Sequence, residues 1–437
     1  MNFKPYPSYK PCDIKWCNEI PESWNQGRVN RFLLHNVVNV GDLWDSTQLL
    51  SLTQKGIIKK DINSGKGKTH SDYSTYQTVE EGDFVFCLFD IDETPRTVGL
   101  STERGMITSA YTVFKPKKDI NSKYVYYFFE SIDDTKALKP YYKGLRKTVR
   151  PPEFLKINLP FPQLVEQNQI VAFLDTETSR IDNLIAKQEK LIEKLEEHRK
   201  SVISHAVTKG LDPNVTMRDS GIEWLGAVPE HWSTPSTKYL LDKPITDGPH
   251  ETPNFVDEGI PFISAEAISK GKIDFNKKRG YISPELNELY SKKYSPNLED
   301  IYMVKSGATT GKIAMVETNQ VFNIWSPLAV FRCDKSKLIP KYLLYVFNSK
   351  HYYNALVLNW SYGTQQNIGM GVLSNIKIPL PSLEEQKQII EILDTKCTKI
   401  DSLVAKQAHL INKLKEYRTS IISHAVTGKI DVRDLVA

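Results

Sequence analysis

Two short loops carry side chains suited to reading the edges of nucleic-acid bases. Lys143, Gly144, Arg146 and Lys147 follow Tyr141 and Tyr142, while Gly363, Thr364, Gln365 and Gln366 follow Trp360 and Tyr362. Arg and Lys donate to guanine O6 and N7, and Gln pairs with adenine N6 and N7. A gapless offset of 219 residues brings Gly144 onto Gly363, Val149 onto Ile368 and Ile157 onto Ile376. Two surface turns feeding strands would show the same spacing without any ligand. The same place with different side chains is also what two readers of two different sequences would show. Lys66 and Lys68 stand in a polar, Gly-containing stretch with Lys55, Lys59 and Lys60, and Lys305 and Lys312 flank Gly307 and Gly311. Lys66 and Lys68 are candidates for phosphate contact, with a solvated loop as the alternative, and Lys305 and Lys312 are DNA-binding candidates.

The motifs that would make the chain an enzyme fail residue by residue. Gly67-Lys68-Thr69 resembles the end of a phosphate-binding loop, but Ile62 stands where the upstream Gly is needed. Gly307 to Lys312 is one residue short of that loop and is followed by Ile313 in place of Ser or Thr. No GxGxxG opens a helix, and the Asn-Pro-Pro-aromatic or Asp-Pro-Pro-aromatic tetrad of an amino-methyltransferase is missing. HExxH and GxSxG are missing too. No catalytic residue is assigned, and a non-catalytic chain is expected. The five cysteines, Cys12, Cys17, Cys87, Cys333 and Cys397, have no CxxC spacing, so neither a metal site nor a disulfide framework is expected.

The elements that position these loops are set by an internal repeat. Residues 160–208 recur at 379–427, and 29 of the 49 paired positions are identical, which makes duplication the first fact to explain. Each copy reads as one long helix. Pro160 and Pro162 keep the approach extended. Ser382 and Glu385 have capping-box spacing, whereas Gln163 replaces the Ser in the first copy and predicts a weaker cap. Gly210 and Gly428 supply the stops. Ile170, Leu174, Ile181, Leu184, Leu191, Leu195 and Val202 fall on one 3-4 seam, with Ile389, Leu393, Ile400, Leu403, Leu410, Leu414 and Ile421 as counterparts. That seam predicts a coiled coil. Gln188 and Gln407 sit at seam positions near the middle of their helices; antiparallel packing would let the two amides pair and fix register. His205 and His424 read as packing or capping residues.

The rest of the chain cycles twice through lead-in, globular block and long helix. Trp16, Pro21, Glu22 and Trp24 echo Trp224, Pro229, Glu230 and Trp232. The expected division is a first domain at 1–160 with an irregular lead-in at 1–24 and a first helix at 161–209. A second domain follows at 210–378 with its lead-in at 210–232, then a second helix at 379–428 and a tail at 429–437. Strand-like runs at 83–89, 110–114, 260–263, 300–304 and 328–331 make both blocks mixed α+β. The cyclic order predicts neighbouring termini. Net charge is +5, compatible with nucleic acid without demanding it. No signal peptide and no run of about 18 apolar residues is present, so no membrane is expected and a cytoplasmic location is.

The sequence resembles the specificity subunits of type I restriction-modification systems. The match is carried by SGIEWLGAVPEHW at 220–232, its degenerate copy in the first lead-in, SGATTGKIA at 306–314, PLPSLEEQKQIIEILD at 379–394 and ISHAVTGKID at 422–431. The resemblance implies two pseudo-symmetric target recognition domains separated by an antiparallel two-helix coiled coil. Each domain would read half of a bipartite, asymmetric double-stranded DNA site, and the coil would set the unread spacer. It also implies two modification subunits carrying S-adenosylmethionine, and restriction subunits carrying ATP and Mg²⁺. This chain itself would bind no cofactor. The first half departs from the pattern near Asp90 to Leu100, where the glycines of the 306–314 segment are lost.

Overall fold

The computed structural model describes residues 3–35, 37–61, 73–269, 271–359, 361–362 and 366–435. The chain forms two compact units, Met1–Glu189 with His409–Ala437, and Lys190–Ala408. These units do not follow the linear division expected at residues 160, 209 and 378. Each takes part of both long helices, because the helices pair antiparallel.

In the first unit, β1 (Leu33–His35), β2 (Phe84–Phe86), β3 (Val98–Leu100) and β4 (Thr112–Pro116) form an antiparallel sheet in the order β1-β4-β2-β3. All three β2 residues are buried, so both faces of the sheet are covered. Phe84, Phe86 and Phe114 meet Phe129 and Phe154 on one face, while Val85 and Val113 meet Leu50, Ile57, Val79 and Ile107 on the other. Helix α1 (Ser122–Asp134) covers the aromatic face, its first turn capped by the Asn121 side chain, which accepts from the Lys123 and Tyr124 amides. The first long helix, α2 (Leu164–Lys209), begins in this unit.

The second unit repeats the plan. Strands β5 (Thr246–Asp247), β6 (Ile301–Val304), β7 (Ile313–Met315) and β8 (Leu328–Phe331) run in the order β5-β8-β6-β7. Helix α3 (Pro284–Ser291) follows a strand at Gly280–Ile282, and α4 (Pro340–Phe347) and α5 (Lys350–Leu358) lie where α1 lies in the first unit. The second long helix is α6 (Leu383–Val426).

Duplication reaches individual hydrogen bonds. The buried Tyr124 hydroxyl donates to Pro160 O at 3.3 Å and Val426 O at 3.1 Å; the equivalent Tyr342 donates to Pro379 O at 3.1 Å and Val207 O at 3.5 Å. Lys123 and Tyr127 hold Asp175 as Lys341 and Tyr345 hold Asp394. Gln167 Oε1 accepts the Asn121 amide and Gln386 Oε1 accepts the Ile339 amide. Trp24 Nε1 donates to Glu166, and Trp232 Nε1 to Glu385, so each lead-in tryptophan clamps the first turn of a long helix. Ser382 and Glu385 exchange the two backbone bonds of a capping box, at 3.2 Å each. Glu166 accepts instead from Trp24 and the Tyr6 hydroxyl, and no Gln163 side-chain cap is found among the described residues.

The first lead-in is not irregular: Tyr9–Ile14 and Cys17–Pro21 pair as a hairpin that buries Ile14, Cys17 and Ile20. Its Lys and Pro residues hide a short apolar face. The termini do meet, the Asp431 amide donating to Lys4 O at 2.8 Å. Gly210 and Gly428 take φ values of +77° and +73° as helix stops.

The long helices pair without a strict heptad seam. Asp182 faces Arg418 at 3.0 Å in the first unit, and the repeat-related Asp401 faces Arg199 at 3.2 Å in the second. Both pairs define the same antiparallel register. The shielded row on α2 runs Ile170, Leu174, Thr178, Ile181, Ile185, Gln188, Ile192, Leu195, Arg199, Ile203, Ala206, which is 36 residues in ten steps. That is the 3.6-residue period of a straight helix; a seven-residue seam drifts about 20° per heptad from it. Leu191 and Leu410, expected on the seam, are therefore 40% exposed each, and Ile411 is 7% exposed in the place expected for Leu410. Leu184 and Leu403 are half-buried. The register sets Asn412 opposite Gln188 in the first unit and Glu193 opposite Gln407 in the second, in place of the expected amide partners. No helix among the described residues is long and apolar enough to cross a membrane.

Candidate nucleic-acid interface

Residues 143–148 form a tight hairpin. Lys143 and Thr148 exchange backbone hydrogen bonds at 3.0 and 3.1 Å, and Gly144 and Lys147 turn the tip with φ of +70° and +44°. The base of the hairpin is fastened down by the Val149 amide, which donates to Leu88 O, and by the Asp90 amide, which donates to Arg146 O. The second unit places a hairpin at the equivalent point, where Ser361–Tyr362 pairs with Gln366–Asn367. Its anchor is equivalent too: the Ile368 amide donates to Lys305 O at 2.8 Å. Gly363, Thr364 and Gln365 lie outside the described residues, as do Lys66 and Lys68.

The candidate side chains have unequal freedom. Lys147 Nζ sits 3.1 Å from Asp92, which also accepts from the Tyr142 hydroxyl. Desolvation would raise the Asp92 carboxyl, but the Lys147 and Tyr142 hydrogen bonds outweigh it and hold it below the usual value. Lys147 is thus a buttress of the hairpin. Lys143 lies 4.0 Å from Glu153. Arg146 is exposed at the tip and has no ion pair among the described residues. Leu145 beside it is fully exposed, a residue that loop chemistry alone did not single out. An unsupported leucine in a polar turn is the signal that could have flagged it, since apolar side chains contact thymine methyls. Lys305 is mostly shielded and is held facing Asp247 at 3.3 Å. Lys312 is exposed at the end of the Ser306–Lys312 turn, with no ion pair among the described residues.

That turn joins β6 to β7, and Cys87 to Thr97 joins β2 to β3 in the same place. Gly307 and Gly311 reach φ of +99° and +89°; in the first unit Asp90, at +45°, takes the left-handed turn without glycine. The altered glycine pattern therefore changes the loop and leaves the strands alone. No group of three His, Cys, Asp or Glu side chains able to hold a metal occurs among the described residues.

The family model for the type I restriction modification DNA specificity domain matches residues 89–197 and 250–415, one segment in each half. The chain belongs to this family. A type I restriction enzyme specificity subunit of Methanocaldococcus jannaschii, MjaVIII, is 27% identical over 286 residues, covering 64% of this chain and 64% of that protein. The EcoBI specificity subunit of Escherichia coli is 26% identical over 278 residues, 62% of this chain and 58% of the relative. The chain thus aligns with a little under two thirds of the length of these relatives. A solved chain from work on complex assembly and conformational transition of the type I R-M system superposes with a TM-score of 0.69 at 18% identity. It covers 94% of this chain and 99% of the other, so the two share a fold. As a specificity-domain protein, the chain places its two divergent hairpins on the part of the scaffold that the duplication otherwise keeps constant.

Proposed function

We propose that this chain is the DNA-specificity subunit of a type I restriction-modification complex. One observation carries the reading. A single skeleton is built twice, down to its buried tyrosine and glutamine hydrogen bonds, yet the sequences at corresponding positions differ: Leu145-Arg146-Lys147 in one half and Thr364-Gln365-Gln366 in the other. Each domain reads one half of a bipartite site. Phosphate contacts supply most of the affinity, and base-edge contacts supply the selectivity. The long helices set the number of unread base pairs between the half-sites. Catalysis is left to companions: modification subunits bring S-adenosylmethionine, and restriction subunits bring ATP and Mg²⁺.

The Arg146→Ala variant should relax the first half-site at one guanine by roughly 10- to 100-fold, matching about 1–3 kcal/mol for a lost base contact. The second half-site should be unchanged. Sequencing the methylated sites in cells that carry the variant with its modification subunit reads both halves at once. Unchanged selectivity would favour the alternative, a coiled-coil scaffold that does not read DNA.

The repeat also indicates where a partner present twice would dock. Lys187, Leu191 and Lys194 are exposed and identical to the exposed Lys406, Leu410 and Lys413. Nearby exposed positions differ, such as Glu193 against Asn412 and Lys190 against His409. We assign these two stripes to the two modification subunits. Replacing Leu191 and Leu410 together by Lys should abolish co-elution with the modification subunit in gel filtration. The melting temperature of the chain alone should move by only about a degree or two, since both side chains are already partly in water.

A further inference from the structure

Asp247 ends the edge strand β5 and is 1% exposed. Its Oδ1 accepts a 2.6 Å hydrogen bond from Lys293 Nζ. Its Oδ2 lies 3.0 Å from His250 Nε2 and 3.3 Å from Lys305 Nζ, yet neither nitrogen is aligned to donate to it. One buried carboxylate therefore gathers three basic side chains. No other hydrogen bond to the His250 ring or to Lys305 Nζ occurs among the described residues. Burial would raise the Asp247 carboxyl, but the Lys293 hydrogen bond and the charges of Lys293 and Lys305 hold it below the usual range, so it stays an anion.

The loop carrying His250 is fastened at several points. A Cβ on Gly248 would come within 2.0 Å of Ile324 O, so only glycine lets the backbone lie this close. Lys293 Nζ also donates to Gly248 O at 3.0 Å, and the Ser326 amide to Pro249 O at 3.1 Å. Trp325 Nε1 donates to Glu251 O, and the Tyr290 hydroxyl to the Glu251 carboxylate. On this braced loop the His250 side chain is 70% exposed, with the Lys293 side chain 49% exposed. The equivalent strand of the first unit, β1, ends at His35 and leads to the exposed Val37 and Val38, with no such cluster among the described residues.

We propose that Asp247 holds His250, Lys293 and Lys305 as a cradle for one backbone phosphate of the DNA, on the second half-site only. This inference rests on the DNA-reading function proposed above. Ammonium groups are rotatable point charges that suit a phosphate, whereas base edges are matched by planar, bidentate donors. Braced donors lose little freedom on binding. The cradle therefore contributes affinity without sequence preference.

The test uses the complex with its modification subunits. Duplexes carrying one neutral methylphosphonate at a time are scanned through both half-sites. The wild-type complex should weaken at one position beside the second half-site, and the His250→Ala and Lys293→Ala complexes should show no further loss there. Each variant should also bind the unmodified duplex about 3- to 10-fold more weakly, and Lys293→Ala should flatten the log-log salt slope by about one. The methylated sequence should not change in either. Full methylphosphonate sensitivity in both variants, an unchanged salt slope in Lys293→Ala, or altered bases in the second half-site would each overturn the cradle. Lack of sequence-selective binding by the wild-type complex would instead overturn the DNA-reading function itself.

Discussion

Removing residues 183–189 from the first long helix and 402–408 from the second, which leaves Leu191 and Leu410 in place, should shorten the unread spacer by about three base pairs and leave both half-sites unaltered. Seven residues of helix span roughly 10.5 Å at ~1.5 Å each, close to three base-pair rises of ~3.4 Å. The deletion also keeps the packing face in phase, because seven residues turn a helix to within about 20° of two full turns. The two ion pairs make the symmetric cut the informative one. Asp182 stays opposite Arg418 and Asp401 stays opposite Arg199 in one common, shifted register, because each helix loses the same length. A cut in one helix alone sets the two pairs seven residues out of step. Methylated-site sequencing reads the outcome. An unchanged spacer with altered half-sites would show that the helices do not measure the distance.

The second large effect concerns a charge buried where α1 meets α6. The Glu130 side chain is 5% exposed, and its partners are Arg418 at 3.3 Å and Arg96 at 3.4 Å. Its second oxygen has no hydrogen bond among the described residues. Burial raises the Glu130 carboxyl, and the two arginines only partly offset this. Burial also opposes the charge on Arg418, but Glu130 and Asp182 more than compensate, so its pKa rises. The two directions disagree about whether the pair is favourable. Arginine is charged at any working pH, so the direction at Glu130 decides. Arg418→Ala should cost about 3 kcal/mol, the lower end for breaking a buried pair, because Arg96 remains.

The pH dependence follows from that raised value. A carboxyl whose folded pKa exceeds its unfolded pKa stabilises the fold in its protonated form. That contribution is complete below the unfolded pKa and is lost as pH rises through the folded one. The Arg418→Ala penalty should therefore be smaller at pH 5 than at pH 8. Glu130→Gln should be neutral or stabilising at pH 8, since it removes a poorly solvated charge while Arg418 keeps Asp182. Thermal melts of the three proteins at both pH values check all of this. A Glu130→Gln variant as damaged as Arg418→Ala would mean the ion pair is a net stabiliser.

Duplication, helix limits and the nearness of the termini were all legible in the chain, for local reasons. Prolines forbid helix, glycines stop it, and repeated residues meet repeated demands, as Tyr124 and Tyr342 do. Three things needed the tertiary structure. Which of Leu191 and Ile192 faces the partner helix depends on 3.6 against 3.5 residues per turn, a difference too small to read from spacing until a partner selects the face. Where the lysines are held depends on carboxylates distant in sequence: Asp92 braces Lys147, and Asp247 positions Lys305. The cluster at Asp247 joins residues 247, 250, 293 and 305, brought together only by the order of strands in the sheet. Periodicity and turn chemistry act within a few residues, whereas burial and charge pairing act across the folded chain, and the second kind decides which side chains are left facing a ligand.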